Sequence, residues 1–306
     1  MTTQYRQSTA VQGVLIGAMA VWGLNVTAVK LLTESFEPTV IAALRMVVAC
    51  AALTAIMLWK RCGMPVLTWR QFIAMIVCAA LMVYVNQILF AEGLQRSTAT
   101  NCALIMALSP LASTLLAAVA FHERLTMQRM CGVALGFSGV AAVVLSHPGA
   151  GMSSAGAGDL MLFAAVVSFA AGGVIIQKLS RQLHPLSISW AIYLIGTVLL
   201  VGHTVIGPTA LNAAMLFPGW RAWSLVLFSG IVATAVGNLI WNRAIATIGV
   251  ARTAVFLYWV PVFGVAFAAL LLGEALTLWH LAGFVAVIAG TYLGTRQPTV
   301  MPVVAP

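Results

Sequence analysis

Ten apolar stretches, each about twenty residues long, follow one another along this chain, and that is the length a helix needs to cross a hydrocarbon core of ~30 Å. They run over 11–31, 38–59, 70–91, 98–120, 127–145, 158–178, 186–206, 222–242, 250–272 and 278–295. The runs are continuous and lack the apolar–polar alternation of barrel strands, so the prediction is an all-α integral membrane protein with ten transmembrane helices. Charge content agrees. Only 7% of the 306 residues are charged and 62% are hydrophobic, whereas a soluble domain carries about 25% charged residues. Arg6, the following apolar run and Ala18-Met19-Ala20 resemble a cleaved leader. That run continues to Val29, too long for the apolar part of a signal peptide, and is read as a retained span. Five cysteines (50, 62, 78, 102, 131) lack metal spacing and are read as small apolar residues.

The chain repeats itself. Residues 109–126, SPLASTLLAAVAFHERLT, align at an offset of 151 with residues 260–277, VPVFGVAFAALLLGEALT. Pro110 falls on Pro261, Glu123 on Glu274, Gly132 on Gly283 and Gly139 on Gly290, with eight identities between Pro110 and Gly139. Trp69-Arg70 meets Trp220-Arg221 at the same offset; nearer the start the offset is 147, pairing Pro38 with Pro185 and Trp22 with Phe169. The expected organisation is a first five-helix repeat over 1–146, a Gly/Ser-rich linker over 147–158 on the outer side, and a second repeat over 159–306.

An odd number of spans per repeat inverts the second repeat relative to the first. The basic residues give the orientation. With both termini cytoplasmic, eleven of the fifteen lysines and arginines face the cytoplasm and three (Lys30, Arg96, Arg221) face outward, while Arg45 lies within a span. This is the positive-inside asymmetry. The net charge of +9 is therefore spent on topology, and no nucleic-acid partner is expected.

Inverted repeats are a recurrent plan for secondary transporters, whose substrate sites lie near the midplane at the repeat interface. Pro110 and Pro261 each free a carbonyl four residues earlier, on Met106 and Leu257. Unsatisfied carbonyls are tolerated in a bilayer only inside protein or beside a water-filled cavity. The two prolines are therefore candidate bends in helices that line a cavity, unless a neighbouring hydroxyl such as Ser109 takes up the freed group.

Two five-span repeats, AVWGLN at 20–25, Arg45 in the second span and the paired Pro…Glu frames together resemble the drug/metabolite transporters of the EamA type, over essentially the whole chain. Within that group the chain looks most similar to amino-acid exporters. The resemblance implies a bacterial inner-membrane exporter whose central cavity is lined by spans 1, 3, 4, 6, 8 and 9, with spans 5 and 10 as scaffold. The second repeat departs from the pattern, because Trp22-Gly23-Leu24-Asn25 becomes Phe169-Ala170-Ala171-Gly172. An asymmetric site is expected.

All six acids (Glu34, Glu37, Glu92, Glu123, Asp159, Glu274) fall at span ends or in loops. A midplane carboxylate, the usual handle for proton or sodium coupling, is missing from the pattern. Uncharged polar and aromatic residues fill the spans instead. The candidate substrate-binding residues are Trp22, Asn25, Tyr84, Asn86, Gln87, Trp241, Asn242, Tyr258 and Trp259. Amides offer donors and acceptors together, which suits a zwitterion, and aromatic walls suit a variable side chain. Such amides also join helices to one another. Arg45 either holds a substrate carboxylate or serves structure; its place in the second span favours structure. The five histidines are scattered, so neither an enzyme nor a metal or cofactor site is expected. The function read here is export of neutral and aromatic amino acids by alternating access without coupling, from a monomer in the lipid bilayer. The alternative is proton-coupled export of amphipathic drugs or other small metabolites.

Overall fold

The computed structural model describes residues 2–33, 35–63, 66–97, 102, 105–122, 125–145, 156–206, 219–272 and 278–295. Among these, ten helical units follow in order: α1 (Thr2–Leu32), α2 (Pro38–Trp59), α3 (Trp69–Ala79, Ala80–Val85 and Asn86–Gln95 without a break), α4 (Ser109–Phe121), α5 (Met127–Leu145), α6 (Ala157–Leu179), α7 (Pro185–Ile206), α8 (Trp220–Leu227, Phe228–Val236 and Gly237–Ile248), α9 (Val250–Val255, Phe256–Tyr258 and Trp259–Leu272) and α10 (Leu278–Thr295). Eight of them are long and apolar enough to cross a membrane; α4 and α5 fall outside that count. The helices match the apolar stretches closely, except that α1 begins nine residues earlier, at Thr2, and α8 runs on to Ile248. The linker segment 147–155 and the acids Glu34, Glu123 and Glu274 lie outside the described residues.

Local sequence sets the helix ends. Pro38 and Pro110 occupy the first turns of α2 and α4, where a missing N–H costs nothing. Thr68 and Gln71 form a reciprocal capping box at the start of α3, with bonds of 3.3 and 2.9 Å. The one-residue turn between α8 and α9 is Gly249, whose φ of +85° suits only glycine. Gln177 Oε1 then accepts from Val250 N at 2.7 Å, which supplies a partner for the first donor of α9.

The helices pack so that exchanging the two halves reproduces the arrangement. α1 lies against α8 and α9, just as α6 lies against α3 and α4; α2 touches α8 as α7 touches α3; and α2–α7, α4–α9 and α5–α10 pair with their own equivalents. The main core cluster draws on α1, α2, α3, α4, α6, α7, α8 and α9. Outward, large apolar side chains such as Leu58, Val119 and Ile206 are 74–87% exposed, a surface suited to lipid tails and not to water. Trp59, Trp69 and Trp220 stand exposed at helix ends, where indoles anchor at the interface.

The closest helix approach is between α5 and α10. A Cβ on Gly132 would lie 2.5 Å from Gly294 N, one on Gly290 2.7 Å from Gly132 O, and one on Gly139 2.8 Å from Gly283 O. The glycines that recur in the sequence thus face one another across this contact, where small residues let backbones touch. Gly13 and Gly17 carry the same spacing, yet a Cβ on either meets open space. Accordingly, Gly132→Val is expected to cost about 1–3 kcal/mol of stability through overpacking, read as a lowered melting temperature and monodisperse yield in detergent. Gly13→Val is expected to stay close to the parent chain. Equal effects would show that the α5–α10 contact does not hold the fold.

Candidate functional site

Two helices break regular α geometry at equivalent places. The π segments Ala80–Val85 of α3 and Phe228–Val236 of α8 end at residues related by the offset of 151. A π turn widens the helix and releases carbonyls from the regular ladder, and such turns concentrate at functional sites. In α8 two carbonyls of the π segment accept side-chain hydrogen bonds. Trp22 Nε1 on α1 donates to Ala233 O at 2.8 Å, and Thr234 Oγ1 donates to Ser229 O at 2.7 Å. Gly237 leaves the room for the indole, since a Cβ there would sit 2.6 Å from Trp22 Nε1.

Around this contact lies an aromatic cluster. Trp22 and Trp241 have ring centroids 5.5 Å apart, and Phe169 of α6 stands 5.7 Å from Trp241. Trp22 and Phe169 are repeat equivalents, so the two halves present matching aromatics to one indole. Phe169 was not among the candidates read from sequence; its equivalence to Trp22 was the signal that pointed to it. Trp241 is buried and its Nε1 has no partner among the described residues. Neither has Asn25 Oδ1, one turn beyond Trp22 on α1, nor Asn242 Oδ1 beside Trp241.

The other candidates are engaged elsewhere. Asn242 Nδ2 donates to Ser189 Oγ on α7 at 2.8 Å, and Asn86 Nδ2 to Ala165 O on α6 at 2.9 Å. Tyr84, within the α3 π segment, places its hydroxyl 3.0 Å from His203 Nδ1 on α7. Tyr258 OH donates to Val133 O on α5 at 2.9 Å, with its ring over Gly136. Trp259 Nε1 donates to Thr291 Oγ1 on α10 at 3.0 Å, and its ring contacts Phe263 and Phe284. Gln87 is half-buried. Asn101, another polar residue of the spans, lies outside the described residues.

Arg45 reaches from α2 to the α8 π segment and donates through a terminal nitrogen to Thr234 Oγ1 at 3.2 Å, while its Nε is buried without a partner. The same threonine closes the π turn onto Ser229 O, so Arg45 is tied to the irregular backbone. Thr234 was missed by sequence reasoning, because a lone threonine in an apolar run carries no pattern.

The prolines mark equivalent breaks. Ahead of Pro110 the helix opens into a turn at residues 107–108, and Ser109 Oγ donates to Met106 O at 2.6 Å. The hydroxyl thus takes up the carbonyl that the proline frees. Ahead of Pro261 the chain tightens to a 3₁₀ turn over Phe256–Tyr258. An apolar cavity of about 370 Å³ lies beside Pro261, bounded by Gly139, Val140, Phe263 and Phe284.

The described acids sit at helix ends. Glu37 precedes α2, Glu92 pairs with Arg96 near the end of α3, and Asp159 meets Ser97 and caps Gly156 N in the first turn of α6. Among the described residues no three metal-ligating side chains gather.

A family signature covers both halves of this arrangement. Residues 11–145 and 156–296 each match the EamA-like transporter family. The chain belongs to that family. It is a membrane transporter of duplicated architecture, and not an enzyme. An uncharacterized transporter of Bacillus subtilis, YetK, is 24% identical over 293 residues, covering 94% of this chain and 88% of its own length. A probable amino-acid metabolite efflux pump of Escherichia coli is 27% identical, covering 90% of this chain and 91% of its own length. A probable terminal-alkyne amino-acid exporter of Streptantibioticus cattleyicolor is 28% identical, with 72% of each chain covered. One crystal structure superposes with a TM-score of 0.80 over 94% of this chain and 96% of its own, at 18% identity, a likeness of fold.

The Trp22–Ala233 bond gives a direct test within this EamA-type fold. Trp22→Phe keeps a ring but leaves the carbonyl without its donor, at an expected cost of about 1–3 kcal/mol. Thermal unfolding of the purified variant measures it. Unchanged stability would mean that the π turn does not need the indole.

Proposed function

We propose that this EamA-family transporter exports neutral and aromatic amino acids by alternating access. In this reading it crosses the bacterial inner membrane ten times as a monomer, with repeats over 1–146 and 159–306, a linker over 147–158 and cytoplasmic termini. The observation that carries the substrate class is a group of buried polar atoms around α8 without partners among the described residues, which includes Ser229 Oγ. Trp241 Nε1 and Arg45 Nε are donors, and Asn25 Oδ1 and Asn242 Oδ1 are acceptors. An amino acid brings a carboxylate that needs donors and an ammonium that needs acceptors. The Trp22, Phe169 and Trp241 rings supply a surface for its variable side chain. The names of the relatives support the same class, since two are described as probable amino-acid metabolite efflux pumps and one as a probable terminal-alkyne amino-acid exporter.

In this mechanism Arg45 holds the α8 π segment through Thr234 and offers its remaining donor to the substrate carboxylate. Trp241 and Asn242 are buried, so helix movement must precede binding. The breaks before Pro110 and Pro261 supply it, and the cavity beside Pro261 gives α9 room to bend. Tyr84, Asn86, Gln87, Tyr258 and Trp259 complete the candidate lining in the state that opens. The described acids at helix ends support uncoupled movement down the amino acid's own gradient. The Tyr84–His203 contact favours a second reading, proton-coupled export, because a phenol and an imidazole share one hydrogen bond beside a π segment.

Reconstituted protein should carry labelled tryptophan and leucine across liposomes with no ion gradient, at a rate that an uncoupler leaves unchanged. Concentrative uptake only under a proton gradient would support the proton-coupled reading, and transport of dyes but not amino acids would overturn the amino-acid assignment in favour of drug export. Orientation is checked separately. Cys62 should react with thiol reagents from the cytoplasmic side and a Ser154→Cys variant from the outer side; labelling of both from one face would break the inverted arrangement.

A further inference from the structure

Arg45 brings a full positive charge to the cluster around the α8 π segment, and no described residue beside it brings the opposite charge. Its hydrogen-bond partner, Thr234 Oγ1 at 3.2 Å, is neutral, and its Nε is buried without a partner among the described residues. The described titratable group that acts on it is Tyr193 of α7, a phenol and neutral at physiological pH. Ser229 Oγ, on the same π segment, is buried and also lacks a described partner. The Arg45 carbonyl lies beside Gly230, where a Cβ would sit 3.2 Å from it. From there the guanidinium ends on Thr234, later in α8, and not back toward the start of α2, where the sequence places Glu34 and Glu37. Glu92 and Asp159 are engaged near the ends of α3 and α6.

The fold does not call for a charge at this position. At the offset of 147 Arg45 corresponds to Ile192, and at 151 Thr234 corresponds to Val83. Both equivalents are buried and apolar, and the α3 π segment forms with Val83 in it all the same. A guanidinium inside a span is costly and is by default kept for function. An anion that pairs with it lowers that cost. An amino-acid zwitterion has no net charge, so a site loaded with one keeps the whole positive charge of Arg45. For the ammonium the cluster offers only the amide oxygens of Asn25 and Asn242 and the faces of the rings, none of them anionic.

We propose that the preferred cargo of this site is the monoanion of an aromatic 2-hydroxy acid, an aromatic amino acid with a hydroxyl in place of its ammonium. This rests on the reading of the α8 cluster as the substrate site. The carboxylate takes charge-assisted hydrogen bonds from Arg45 and a further one from Trp241 Nε1. The hydroxyl donates to an amide oxygen of Asn25 or Asn242, and the ring lies against Trp22, Phe169 and Trp241. The loaded site is then electrically neutral. Movement of a monoanion also has a direction, because a membrane that is negative inside drives it outward. A potential of about 100 mV sustains a roughly fiftyfold gradient of a single charge, so export needs no midplane carboxylate to be driven.

The test uses the full-length protein in liposomes with labelled indole-3-lactate, tryptophan or tryptamine, which share one ring and differ in charge; protein-free liposomes give the leak. Without a potential, indole-3-lactate is expected to cross faster than tryptophan, and tryptamine no faster than the leak. With about 100 mV imposed, negative inside, indole-3-lactate should settle at a roughly fiftyfold outward gradient and tryptophan at none. Arg45→Gln should slow indole-3-lactate about tenfold more than tryptophan, a ratio that a loss of folded protein does not move. The wild-type measurements decide the matter if that variant does not fold. Tryptophan crossing at least as fast as indole-3-lactate would overturn the proposal and leave the amino-acid reading standing. Indole-3-lactate crossing while tryptophan does not would uphold the charge argument and overturn the amino-acid reading. Tryptamine crossing as fast as indole-3-lactate, or neither acid crossing, would overturn both. No response of the indole-3-lactate gradient to the potential would show that a proton travels with it, and would overturn carriage of the anion.

Discussion

Water is scarce in the hydrocarbon core, so any backbone N–H or C=O without a partner there costs several kcal/mol. Nearly everything in this chain follows from that constraint. It forces the ten apolar stretches into helices, and it makes each interruption of a helix conspicuous, because the released group must be answered by a side chain. The answers are specific. Trp22 Nε1 takes Ala233 O, Thr234 Oγ1 takes Ser229 O and Ser109 Oγ takes Met106 O. Irregular backbone and polar side chains therefore come as matched sets, two where α1 and α2 meet α8 and one at the start of α4.

Duplication supplies the second ordering principle. The two π segments, the two proline breaks and the glycines facing each other across α5 and α10 all recur at the repeat offset. Symmetry of the scaffold coexists with asymmetry of the contents. Trp22 faces Phe169 across Trp241, but Asn25 corresponds to Gly172 and Asn86 to Gly237. A transporter built of two like halves can then present different groups from each side.

The apolar stretches, the repeat and the paired prolines were legible in the sequence because each is a matter of composition or spacing. Most helix boundaries agreed to within a few residues, although α1 begins nine residues earlier, the described α4 starts only at Ser109 and α8 runs on to Ile248; the family resemblance drawn from AVWGLN, Arg45 and the Pro…Glu frames agreed with the family match over both halves. The nine candidate lining residues were chosen by type and depth, and the structure distributes them among different partners. Trp22 and Trp241 meet, whereas Tyr258 turns to α5 and Trp259 to α10. Depth along a span can be counted along a sequence; rotation about the helix axis in a run of Leu, Val and Ala cannot, because apolar residues cover every face.

What the sequence determined by itself was thus the medium and the repeat: a chain this apolar must be helical in lipid, and a Pro–Glu–Gly–Gly frame occurring twice must reflect two like units. Only tertiary structure decided where helices leave α geometry. The π segment over Ala80–Val85 contains neither proline nor glycine, and that over Phe228–Val236 contains only the Ser229-Gly230 pair. In α8 neighbouring helices supply groups that a lone helix lacks, an indole for one carbonyl and an arginine to hold the threonine that serves another. A π turn widens the backbone and is tolerable only when a partner from elsewhere in the chain meets the groups it exposes. That partner is Trp22 at a separation of 211 residues, a relation that packing alone creates.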